Sequence, residues 1–156
     1  MELWLPTEEA QIAFGEQLAC ALKPPCVIFL EGDLGTGKTT LARGILRGLG
    51  HQGAVRSPTY TLIEPYELAR AHLYHFDLYR LDDPEELEYL GLRDLLGREA
   101  IWLLEWPERG AGLLPKADLL IRMFYQAEGR SLSLTPVTSR GETILAEIGD
   151  YPSRQA

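Results

Sequence analysis

Positive charge is scarce in this sequence. Fifteen Lys and Arg residues, only three of them Lys, face 23 acidic residues, for a net charge of −8. So acidic a surface repels phosphate backbones, which argues against strong direct binding of nucleic acid and in favour of a basic protein partner. Cysteine is nearly absent too. Cys20 on a helical pattern and Cys26 at the head of a strand are too few for a disulfide framework, and both are expected to be buried free thiols. No apolar run approaches the ~18 residues of a membrane span. The opening Met1–Glu9 has no basic stretch leading into an apolar one, so a cytoplasmic chain without membrane partners is expected. Repeats, low-complexity tracts and linkers are lacking as well. The expectation is one domain over residues 1–150 and a flexible tail at 151–156.

What is present is a loop: Gly32-Asp33-Leu34-Gly35-Thr36-Gly37-Lys38-Thr39-Thr40 fits G-x-x-x-x-G-K-[ST]. The apolar run Cys26–Leu30 precedes it and the helical pattern Leu41–Leu49 follows, with Gly50 placed to end that helix. Glycines let such a loop curl until successive backbone amides point into one concavity, and the next helix adds its unpaired N–H groups and positive dipole end. Lys38 then reaches the β- and γ-phosphates of a nucleotide, and the Thr39 hydroxyl can ligate Mg²⁺.

The other elements follow from pattern. Residues 8–22 carry a helical stripe of Ala10, Ala13, Phe14, Leu18, Ala21 and Leu22, opened by Thr7 and stopped by Pro24-Pro25. Two β-rich runs near 59–67 and 71–79 read as a hairpin turning at Ala69-Arg70. Asp82-Asp83-Pro84-Glu85-Glu86 starts a helix, with Asp83 as cap, and Gly91 and Gly97 end two short helical turns. Ala100–Leu104 reads as a buried strand bounded by Glu105. Further strands near 118–125 and 130–137 turn at Glu128-Gly129, and Ser139–Glu142 reads as a capping box opening a helix to Ile148. The sum is an α/β layered, P-loop NTPase-like fold with a mixed sheet flanked by helices.

A P-loop enzyme also needs an acid at the carboxyl end of a neighbouring strand, where ligands collect in open α/β sheets. Glu105 and Asp77 are the two candidates. His75 shares a strand face with Asp77 and is read as a structural residue. Pro115-Lys116-Ala117-Asp118 and Asp94-Leu95-Leu96-Gly97 look like GTPase motifs, but both precede a strand where the GTPase versions follow one. They are read as coincidence, and ATP is favoured over GTP. Three functions compete: a slow regulatory ATPase, a small-molecule P-loop kinase, and a nucleotide-gated binding module. A kinase needs an arginine-rich lid, and the arginines here are scattered.

Gly32–Thr40, Ser57-Pro58-Thr59-Tyr60-Thr61, His75–Leu81 and Leu103-Leu104-Glu105-Trp106-Pro107 together resemble the bacterial TsaE ATPase family. The resemblance runs from about residue 5 to 148 and is densest up to 107. It implies an ATPase that assists the TsaB–TsaD pair in forming threonylcarbamoyladenosine on tRNA without performing the transfer, so that tRNA is contacted only indirectly and no small-molecule second substrate is used. It further implies that Lys38 binds phosphates, Thr39 and Glu105 hold Mg²⁺, and Asp77 acts near the attacking water. By the same resemblance Ser57, Pro58, Thr59, Tyr60 and Thr61 form a γ-phosphate switch, while Glu8, Trp106 and Arg130 lie near the ATP.

Overall fold

The computed structural model describes residues 1–55, 58, 61–96 and 99–149. Ser57, Thr59 and Tyr60 of the expected switch, Gly97 and the tail at 151–156 lie outside the described residues. A seven-stranded mixed sheet organises the rest. Its strands are β1 (Glu2–Leu5), β2 (Cys26–Gly32), β3 (Ile63–Glu67), β4 (His72–Asp77), β5 (Ile101–Glu105), β6 (Leu119–Gln126) and β7 (Gly129–Pro136). The spatial order is β1-β7-β6-β2-β5-β4-β3. The inner four, β6, β2, β5 and β4, run parallel, whereas β7, β1 and β3 are added antiparallel at the two sides.

Buried on both faces, the parallel strands read as nearly continuous apolar runs, and all five residues of β5 are buried. Cys26, Ile28 and Leu30 of β2 point into the larger core, shared with α1 (Glu8–Ala19), α2 (Lys38–Gly48) and α5 (Ser139–Ile148). Val27 and Phe29 point the other way, onto a smaller core where Phe76, Leu104 and Trp102 meet the short helices α3 (Glu86–Tyr89) and α4 (Leu92–Leu96). On α2, Leu41, Ile45 and Leu46 are completely buried, as is Leu49 at its C-cap, while Arg47 stays outside. Each such side chain contributes about 1.5–3 kcal/mol of burial.

Several boundaries differ from the sequence reading. The first helix ends at Ala19 instead of Leu22, and the chain passes through a turn in which Ala21 and Leu22 donate to Leu18 and Ala19 carbonyls. Thr7 caps it as expected, accepting from the Ala10 amide at 3.0 Å. Ala13 is exposed and Gln11 is buried in its place, because the helix is covered along the Gln11, Phe14, Gly15 and Leu18 line. The cap of α5 is Thr138, which accepts from Gly141, not Ser139. Cys20 is exposed, and only Cys26 is the buried thiol expected of both. Burial and the neighbouring Asp118 push Cys26 up to about 12, so it stays an inert thiol. Strand β1 escaped the pattern because four residues are too few to show a period; its Leu3 and Leu5 face the core. The hairpin turns, the division of the short helices at Gly91 and the α2 stop at Gly50 (φ +105°) stand as read. But β3 begins only at Ile63, and β4 runs His72–Asp77. Helix α3 begins at Glu86 without a side-chain cap, Asp83 Oδ1 accepting instead from the Glu85 amide before it.

Helices α1 and α2 touch backbone to backbone. A Cβ on Gly44 would lie 2.5 Å from the Ile12 carbonyl oxygen, and one on Gly15 would lie 2.8 Å from that of Leu41. This crossing sets the height at which α2 begins over the sheet, and hence the loop before it. On an exposed helix Gly→Ala gains about 1 kcal/mol. Here Gly44→Ala is expected to lose about 1–3 kcal/mol through overpacking, read as a fall in Tm of about 2–4 °C per kcal/mol. An unchanged or raised Tm would show that the helices separate without cost.

Candidate functional site

Strand β2 delivers the chain to the carboxyl edge of the parallel sheet, where residues 32–37 turn back into the first turn of α2. Gly37 precedes that helix with φ +100°, a left-handed conformation glycine adopts freely. A Cβ there would also meet Gln11 Oε1 at 2.1 Å, and one on Gly35 would meet Tyr125 Oη at 2.4 Å. The loop is therefore backed closely by α1 and β6. Its carbonyls are tied one after another. Lys38 Nζ donates to the oxygens of Gly32 and, at 3.1 Å, of Asp33, which also accepts from Thr36 Oγ1. Tyr125 Oη donates to Leu34 O, and Arg130 donates to Gly35 O at 3.2 Å and Thr36 O at 3.0 Å. With so many oxygens committed, the peptide planes, and with them the amides, are fixed.

The start of α2 is unlike the other long helix starts. Helices α1 and α5 have side-chain caps and acids in their first turns, whereas α2 has neither. Its first intrahelical bond runs from the Leu41 amide to Gly37 O, so the amides of Lys38, Thr39 and Thr40 have no partner within the helix. An anion is the complement of such an end.

Across the crevice stand two carboxylates. Asp77 ends β4 and Glu105 ends β5, and the two are register partners in adjacent parallel strands. Both are buried. Glu105 accepts from Thr39 Oγ1 at 3.3 Å and lies 2.7 Å from His75 Nε2. Asp77 accepts from the Tyr79 amide at 3.1 Å. Burial, and then the Glu105 charge, hold the Asp77 carboxyl above the usual range, against the Tyr79 bond, His75 and Lys38. Burial likewise pushes the Lys38 ammonium down, while Glu105, Asp77, Glu108 and Asp33 pull it back. Lys38 Nζ also sits 4.1 Å from the centre of the Trp106 ring, a cation–π distance. Trp106 itself holds φ +58°, an uncommon backbone for so bulky a residue, at the head of the 3₁₀ turn Pro107–Gly110.

A cavity of about 450 Å³ opens between these walls. It is lined by Leu34, Gly35, Gly37, Lys38, Thr39, Thr40, Asp77, Tyr79, Arg80, Glu105 and Trp106. Of the residues expected at an ATP site, Gly32, Asp33, Thr36 and Arg130 shape the loop without lining this cavity. Glu8 pairs with Arg43 of α2 at 3.4 Å, away from the cavity lining. Of the expected switch, Pro58 is buried and Thr61 exposed, with Thr61 Oγ1 donating to Glu64; neither lines the cavity. Asp118 of the GTPase look-alike accepts from the Val27 amide and Thr138 Oγ1, a structural bridge between β2 and α5.

Sequence reasoning missed Tyr79 and Arg80 as lining residues, and it missed the His75–Glu105 contact. Tyr79 and Arg80 follow Asp77 by two and three positions, a signal that was available. A contact between two strands was not.

The residues fit a magnesium nucleotide. The helix start is uncapped, and the donor set is hard oxygen, Thr39 Oγ1 beside a carboxylate. Among the described residues no group of three or more His, Cys, Asp or Glu forms a metal cage. Magnesium takes one or two protein oxygens and leaves the rest to phosphate and water.

The raised Asp77 pKa gives a stability prediction. A carboxyl whose native pKa is raised contributes stability below its unfolded value and loses it as pH climbs through the native one. Asp77→Asn removes the charge while Asn can keep the Tyr79 bond. Its Tm is expected to exceed that of the unmodified chain at pH 7, and the gap should close as pH falls towards the ordinary value of 3.8. Thermal unfolding from pH 3.5 to 8 measures this; a variant less stable at neutral pH would contradict it.

The family model of the threonylcarbamoyl adenosine biosynthesis protein TsaE matches residues 5–132. The chain is similar to the tRNA threonylcarbamoyladenosine biosynthesis protein TsaE of Haemophilus influenzae, 47% identical over 152 residues, covering 94% of this chain and 96% of the relative. The Bacillus subtilis protein of the same name is 37% identical over 140 residues, covering 89% and 87%. A crystal structure of Bacillus subtilis YdiB superposes with a TM-score of 0.82 at 31% identity, covering 95% of this chain and 93% of that one. The sheet and its flanking helices are a P-loop NTPase-like α/β fold, and the chain belongs to the TsaE family of threonylcarbamoyl adenosine biosynthesis proteins.

Proposed function

We propose that the chain binds ATP with Mg²⁺ and hydrolyses it slowly, assisting the TsaB–TsaD pair in threonylcarbamoyladenosine formation without carrying out the transfer. One observation carries the proposal: a single crevice lined by Lys38, Thr39, Asp77 and Glu105, between an uncapped helix start and two strand-end carboxylates. Family membership supports the pathway, and the −8 charge supports a protein partner over direct contact with tRNA.

Each residue has a distinct task. The loop amides and Lys38 bind the phosphates, and the Trp106 ring under Lys38 limits where its ammonium can go. Thr39 and Glu105 hold Mg²⁺, which when bound supplies charge neutralisation on the phosphate oxygens. Asp77, with its raised proton affinity, orients the attacking water for in-line displacement. Positioning and electrostatics are the whole of the catalysis.

In calorimetry, Lys38→Ala should abolish the heat seen with MgATP. Asp77→Asn should keep binding, while its phosphate release falls by about 10²-fold or more. Undiminished turnover in Asp77→Asn would remove Asp77 from the reaction, and stoichiometric phosphorylation of a metabolite would replace hydrolysis by kinase chemistry. A pull-down with the TsaB–TsaD pair, with and without MgATP, tests the partner: association should depend on nucleotide, and nucleotide-insensitive or absent capture would overturn this part.

A further inference from the structure

His75 is completely buried within the sheet, on β4 beside the edge strand β3, where a residue chosen for packing alone would be apolar. It lies opposite Leu103 of β5 and Glu64 of β3. Its Nε2 is 2.7 Å from Glu105 Oε2, and its Nδ1 is buried without a hydrogen-bond partner among the described residues. An ionised carboxylate can only accept, so Nε2 carries the hydrogen and donates it. The ring thus accepts an unsatisfied nitrogen on one side to make one short bond on the other. On its far side Glu105 is met by Thr39 Oγ1, at 3.3 Å from Oε1 and 3.5 Å from Oε2. The three side chains form a line from the sheet interior to the first turn of α2.

We infer that His75 is a positioning residue for the metal: its Nε2–H fixes the rotamer and plane of Glu105, so that the carboxylate presents its free lone pairs beside the Thr39 hydroxyl. The inference rests on the proposed metal role of Glu105 and deepens it. Nearby, Asp77 has a backbone amide to orient it, whereas among the described residues the Glu105 carboxylate is met by side chains alone. Carboxylates that hold metals are commonly oriented by such outer partners, whose loss costs about 10–100-fold in metal affinity.

The test is Mn²⁺ binding to the protein–ADP complex, followed by loss of the free Mn²⁺ EPR signal and thus independent of turnover. His75→Leu keeps the volume without a donor. His75→Gln places an amide nitrogen near Nε2, and His75→Asn has one too short to reach. Mn²⁺ affinity is expected to fall about 10–100-fold in His75→Leu and His75→Asn, and to stay within about threefold in His75→Gln. ADP affinity without metal should be unchanged in all three. If His75→Leu does not fold, the Gln and Asn variants still make the comparison. Equal Mn²⁺ affinity in the Gln and Asn variants would overturn the positioning role. Glu105→Gln separates the two levels: if it weakens Mn²⁺ binding while His75→Leu and His75→Asn do not, only the His75 inference falls. If Glu105→Gln leaves Mn²⁺ affinity intact, the metal reading falls first and takes the inference with it.

Discussion

Two carboxylates that share a register position in adjacent parallel strands cannot both be comfortable out of water, and the crevice is built around that conflict. Asp77 and Glu105 are both buried, and burial together with the Glu105 charge raises the cost of ionising Asp77. Opposing them are a buried lysine and a helix start without a cap or an acid of its own. Neither side is balanced by itself. The negative edge of the sheet and the positive end of α2 are held facing each other because the α1–α2 backbone contact and the β2 register leave the helix nowhere else to start.

The loop between them is held from behind by distant parts of the chain. Arg130 comes from β7, Tyr125 from β6 and Gln11 from α1, and together they reach Leu34, Gly35, Thr36 and Gly37. The guanidinium of Arg130 also stacks 4.3 Å from the Tyr125 ring, so the hairpin of β6 and β7 works as one brace. That explains why the sheet extends two antiparallel strands beyond its parallel centre: the added strands lie beside the loop they steady. An amide cradle is useful only if it does not reorganise when charge arrives, and this one has its carbonyls already engaged.

The sequence showed the loop, its strand and its helix plainly, because G-x-x-x-x-G-K-[ST] encodes local backbone conformation that needs no tertiary partner. It showed Asp77 and Glu105 for a similar reason, each being the polar end of an apolar run. Where it fell short, the missing quantity was a distance between elements. Ala13 and Gln11 differ by two positions on one helix, and only the direction from which α2 and the loop approach decides which is buried. Thr138 and Ser139 are both good caps, and the choice turns on Thr138 being tied to Asp118 at 2.6 Å. The four-residue β1 had too few positions to display alternation, and it is recognisable only by its pairing with β7.

Two like acids at neighbouring strand ends stand in unlike surroundings. Glu105 faces two side-chain donors, His75 and Thr39. Asp77 has one backbone donor and takes the repulsion of its neighbour as a raised proton affinity. Environments that treat paired carboxyls differently are how acid and base roles are divided in active sites. By that criterion Glu105, met by two side-chain donors, is the carboxylate whose orientation is fixed. Asp77, whose charge burial and the neighbouring Glu105 make costly, is suited to meeting a proton. The division needs no difference in local sequence, since both residues close an apolar strand. It follows from His75 standing two positions before Asp77 on the same face, close enough to reach across to Glu105 and leave Asp77 less well supported.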